Sequence, residues 1–111
     1  MTPAFVACAV ITTISAAVSL GFSVAAAFPA SGHARTMALY ASARSLAFTL
    51  ISLVPFFTGS TPWLEAVALG MIIVQFSDAG VGLTIHDRMK TLGPAGTAVS
   101  NLAVLLWLMA V

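Results

Sequence analysis

Charge is nearly missing from this chain. Of 111 residues, four are Lys or Arg and three are Asp or Glu, 6% in all against 60% hydrophobic, which excludes a soluble domain solvated by ionised side chains. Cysteine is as scarce: a lone Cys8 rules out an internal disulfide and reads as a packing residue near one end of the first apolar run. A net charge of +1, with no basic run long enough to follow a polyanion, excludes nucleic acid as a partner. The chain has no Gly-rich phosphate loop, no paired cysteines and no GxSxG elbow, so nucleotide, haem-attachment and serine-hydrolase readings lack support. His86 beside Asp87, with His33 elsewhere, lacks the spacing of a ligand set, so no metal and no cofactor is expected.

Long apolar runs are what the sequence does have, and its mean hydropathy is +1.09. A bilayer core needs roughly 20 apolar residues per helical span. Four such runs fit almost end to end, over 4–28, 36–57, 63–86 and 95–111, and make one domain over 1–111. The joints are marked by Pro29, Ser31 and Gly32, by Thr58 to Pro62, and by Gly93 with Pro94, the last expected to open the fourth helix. Lipid leaves backbone groups unsatisfied in anything but helices or closed barrels, and short loops join antiparallel neighbours. The expected fold is therefore all-α, an integral membrane up-and-down four-helix bundle. The first run carries no Lys or Arg before it and exceeds the ~7–15 apolar residues of a secretory signal, so it is expected to be a span and not a cleaved leader.

Connections 29–35 and 87–93 share one side and hold Arg35, Arg88 and Lys90, while the other side has no Lys or Arg. The positive-inside rule makes those loops cytoplasmic and puts both termini outside; Trp63 and Trp107 then fall near the outer interface. Glu65 is expected in the first turn of the third helix, complementing its positive end. Ser15, Ser19, Ser23 and Ala27 repeat every fourth residue on the first helix, and Ala66 with Gly70 repeats that spacing on the third. Such seams serve either internal packing or a homo-oligomer or partner subunit.

The polar residues inside the spans form a layer when depth is counted at 1.5 Å per residue from the cytoplasmic ends. Arg44 and Asp78 each come out at ~12 Å, Asn101 at ~9 Å and Ser19 at ~13 Å. An unpaired charge in a span costs about 2.5–3.5 kcal/mol, so Arg44 and Asp78 are expected to pair, with Asn101 and Tyr40 as further partners. Gln75 and Gly82 share a helical face with Asp78, and Gly82 leaves space beside the carboxylate. A pair that merely sets helix register, or an Arg44 that snorkels away from a neutral Asp78, is the plainer alternative.

YASARSLAFTLISLVPF followed by QFSDAGVGL, an Arg early in helix two and an Asp in helix three, resembles the small four-helix membrane proteins of the DoxX-like group and neighbouring families of unknown function over roughly residues 36–111. The resemblance implies the four-helix membrane fold and, for the group, links to membrane redox complexes; small membrane proteins of similar layout act on lipophilic substrates. Arg44 and Asp78 are the positions that match. The length also resembles small multidrug transporters, but these need a Glu in the first helix, where this chain has Thr12, Ser15 and Ser19; transport therefore ranks third.

The leading expectation is a cofactor-independent acid/base site on a small lipophilic molecule, hydrolysing an epoxide or shifting a double bond. Asp78, Arg44 and Asn101 would be catalytic, with Tyr40, Gln75, Ser19 and Gly82 binding substrate. The rival is an accessory or structural subunit of a membrane complex. A cavity beside Asp78 would favour the first; close packing with every hydrogen bond satisfied internally would favour the second.

Overall fold

The structure, a computed structural model, describes residues 2–84 and 88–110, without the side-chain surroundings of residues 82 and 88–91. It is all-helical: α1 Pro3–Ala27, α2 Gly32–Thr58, α3 Thr61–Thr84 and α4 Arg88–Ala110. Each is long and apolar enough to cross a membrane, and the 45 Å long axis compares with the ~40–45 Å of a bilayer including its headgroups.

Local chemistry sets most of the ends. Thr2 caps α1 by accepting from the Phe5 N–H at 3.1 Å, and Pro3 follows at the first helical position, where its missing N–H is harmless. α2 stops at Gly59, which takes the left-handed φ of 66° that side chains avoid, and its N–H donates to the Pro55 carbonyl at 2.8 Å. Ser60 then accepts from the Trp63 N–H at 3.3 Å and opens α3.

Two starts differ from the sequence-based spans. α2 begins at Gly32, not at residue 36, so Arg35 lies in its first turn. α4 begins at Arg88, not at residue 95, and Pro94 sits inside it. The carbonyl that Pro94 leaves without a donor belongs to the helix's first turn, at the end of the bundle, and the Thr97 hydroxyl donates to the Gly93 and Pro94 carbonyls one turn on. The loops expected at 29–35 and 87–93 are therefore mostly helical. Glu65 is the fifth residue of α3 and lies beyond its first turn. His86 and Asp87 lie outside the described residues.

α1, α3 and α4 make a three-helix core, and α2 packs on α1 while touching α3 along a narrow strip. The stripe Ala4, Phe5, Cys8, Ala9, Thr12, Ser15 and Ala16 of α1 is buried at helical spacing, and Cys8 packs with Phe5, Leu64, Ala68, Ile72, Leu105 and Leu108. The small-residue seam of α1 is used internally: Ser19 Oγ lies 2.9 Å from Ser45 Oγ of α2. On α3, a Cβ added to Gly70 would sit 3.1 Å from Cε1 of Phe48, so this glycine makes room for an α2 ring.

Pro55 inside α2 has a local remedy. It cannot donate to the Ile51 carbonyl four residues back, and the Trp63 indole N–H of α3 does so at 3.2 Å. Trp63→Phe should therefore destabilise the bundle by about 1 kcal/mol, and by clearly less in a Pro55→Ala background, where the backbone N–H returns. Thermal unfolding in detergent of the two single variants and the double variant checks this; an equal loss in both backgrounds would mean the indole does not serve that carbonyl.

Candidate functional site

Arg44 and Asp78 meet. Nη2 of Arg44 donates to both carboxylate oxygens of Asp78, at 3.3 Å to Oδ1 and 3.2 Å to Oδ2. The pair is one of several contacts that tie α2 to α3. Trp63 to the Ile51 carbonyl, Phe48 over Gly70, and Arg44 to Asp78 run in order away from the Gly59 turn, as an antiparallel hairpin requires.

The pair is not enclosed. Its side chains are 43% and 31% exposed, and one guanidinium nitrogen serves both oxygens, leaving further N–H donors and carboxylate lone pairs for something else. A close-packed register pair would have neither property. One turn before Arg44 stands Tyr40, 70% exposed, in an open groove of about 390 Å³ with Thr36, Leu39 and Ala43. Its lining comes from α2 alone, and Arg44 and Asp78 are not part of it. Positions 36, 40 and 43 recur on one face of α2, and Arg44 is offset from Tyr40 by about 40° around the helix.

The other residues expected at this site are elsewhere. Asn101 is fully buried and donates from Nδ2 to the Ala68 carbonyl at 3.2 Å. Ala68 precedes Asp78 by ten residues of α3, ~15 Å along the axis. The depth count misplaced Asn101 because it began at Ala95; from the true start at Arg88 this residue lies ~20 Å in. Gln75 shares a face with Asp78 but is buried against α1, donating from Nε2 to the Ser15 carbonyl at 3.4 Å, so it is not free to hold a substrate. Ser19 reaches the level of Arg44, but its Ser45 partner turns it into the α1–α2 seam. Tyr40 makes no hydrogen bond to Asp78 among the described residues. The surroundings of Gly82 lie outside the described residues.

The Arg44 contact was recoverable from sequence because opposite charges in apolar spans need each other. The tasks of Gln75 and Asn101 were not, since an amide satisfies itself equally well on a neighbouring backbone. Their remaining oxygens, Gln75 Oε1 and Asn101 Oδ1, are buried without a protein partner, as is Thr12 Oγ1.

Removing one charge strands the other, which in hydrocarbon costs on the order of 2–3 kcal/mol. Arg44→Gln and Asp78→Asn should each lower stability more than the double variant Arg44→Gln/Asp78→Asn does. Denaturation in lipid nanodiscs measures all three; additive losses would show that the two charges are not coupled.

No family model matches this chain, and neither the curated proteins nor the solved structures contain a significant match to it.

Proposed function

We propose that the chain is a multi-pass membrane protein whose Arg44–Asp78 pair is an acid/base site for a small lipophilic molecule entering sideways from the bilayer. The observation that carries this reading is the pair's half-open state: its hydrogen-bonding capacity is not used up among the described residues. Membrane placement rests on four apolar helices of spanning length. The cationic ends of α2 and α4 favour the cytoplasmic side, with both termini outside. The match of Arg44 and Asp78 to the DoxX-like pattern is part of the same proposal.

In this site Asp78 takes the proton and Arg44 supports the negative charge that develops. For a double-bond shift, Asp78 removes a proton next to a carbonyl and Arg44 donates to the carbonyl oxygen as it gains charge. Asp78 then returns the proton to the far carbon of the new conjugated system. For an epoxide, Asp78 accepts a proton from water as that water attacks one ring carbon. The C–O bond breaks, and the proton passes to the leaving oxygen held by Arg44. Neither route needs a cofactor. Tyr40, exposed one helical turn before Arg44, would offer its hydroxyl to the substrate.

A second reading has its own observation in favour. α2 is the least buried helix, with only Ser45, Ser52 and Pro55 buried, and its contact with α3 is narrow, as suits an accessory subunit covered by a partner. Membranes containing the chain, supplied with a panel of lipophilic epoxides and β,γ-unsaturated ketones and followed by mass spectrometry, separate the two. Turnover should fall at least about 100-fold in Asp78→Asn while the folded bundle is still recovered from detergent. Turnover that survives Asp78→Asn, or none above membranes lacking the chain, removes the enzyme reading.

A further inference from the structure

A second groove lies on the other side of Leu39. It opens between the inner ends of α1 and α2, has a volume of about 160 Å³, and is lined by Val24, Ala27 and Phe28 of α1 and by Arg35, Leu39 and Ser42 of α2. Positions 35, 39 and 42 recur on one helical face, about 100° around α2 from the face that carries Tyr40, so the two grooves are separate. From Arg35 to Ser42 the groove runs ~10 Å along the axis, with a cation at its mouth and mainly hydrocarbon behind it.

Arg35 has no counterion on either wall. All three acidic residues of the chain, Glu65, Asp78 and Asp87, fall between 65 and 87, so α1 and α2 contain none. The other cation of α2, Arg44, is matched by Asp78. Among the described residues Arg35 makes neither a hydrogen bond nor an ion pair. Beside it, the first turn of α2 adds positive character: Ser31 at the N-cap makes no side-chain capping bond, which leaves first-turn N–H groups for another acceptor.

We propose that this groove holds one anionic phospholipid, its headgroup phosphate on Arg35 and an acyl chain along Val24, Ala27 and Leu39. Charge decides the occupant: a cation between apolar walls that hold no acidic residue fits a molecule that is anionic at one end and hydrocarbon at the other. A free phosphate satisfies only the mouth. The inference rests on the membrane placement proposed above and is independent of chemistry at Asp78.

Native mass spectrometry of the full chain, extracted from membranes and offered equal phosphatidylglycerol and phosphatidylcholine, tests it. Phosphatidylglycerol should be retained about fivefold over phosphatidylcholine, the effect of one basic residue near the surface. Arg35→Gln should abolish the preference and Arg35→Lys should keep it. Leu39→Trp, which fills the groove and leaves the cation, should release the lipid. Equal retention of the two lipids, a preference that survives Arg35→Gln, or displacement by millimolar inorganic phosphate would each overturn the site. If the membrane placement itself is wrong, the chain will instead fractionate as a soluble protein, a result distinguishable from membrane-bound chain without lipid preference.

Discussion

The contact between Arg44 and Asp78 sets how α2 meets α3. α2 buries few of its side chains, and those it does bury face α1. Toward α3 it has an ion pair at one end, the Trp63 indole on the Ile51 carbonyl at the other, and Phe48 over Gly70 between them. Apolar packing between helices offers little net drive when lipid tails are equally apolar, so these directional contacts fix the angle and register of the hairpin. They also explain why the pair is half open. A helix held by a narrow strip does not cover its own charged contact.

The rest of the bundle follows a different rule. α1, α3 and α4 are packed through small residues and aliphatic side chains, with few gaps for polar atoms. Gln75 and Asn101 act there as cross-helix ties, each spending its amide N–H on a carbonyl of a neighbouring helix. A donor that reaches across in this way locks the register of two helices, because sliding either one by a turn strands the amide in hydrocarbon. The molecule thus divides its polar residues by accessibility. Buried amides tie neighbouring helices together, and the half-exposed pair keeps hydrogen-bonding capacity that the described residues do not use.

α2 also separates two environments that differ in charge. Its face with Arg35, Leu39 and Ser42 turns to the end of α1, which holds no acidic residue, its face with Thr36, Leu39 and Tyr40 is exposed, and Arg44 pairs with Asp78 of α3. The two faces share Leu39 as a ridge. One helix therefore carries a cation near the bundle end that meets no acid on α1 or α2, and one paired with Asp78 ~14 Å further in.

Four apolar runs separated by Pro and Gly determined four helices, each long and apolar enough to cross a membrane. Scarcity of charge likewise determined that Arg44 and Asp78 would seek each other. Helix starts were less legible: Pro94 reads as a helix opening, yet a proline seven residues in is tolerated where the carbonyl it orphans lies in the first turn. That one shift moved Asn101 out of the layer in which residue counting had put it. Only the tertiary structure decided which neighbour each polar side chain faces, and so which amides became ties and which pair stayed open. Rotation of a helix about its axis depends on the sum of all its contacts, and adjacent residues such as Arg44 and Ser45 point about 100° apart, one to α3 and the other to α1.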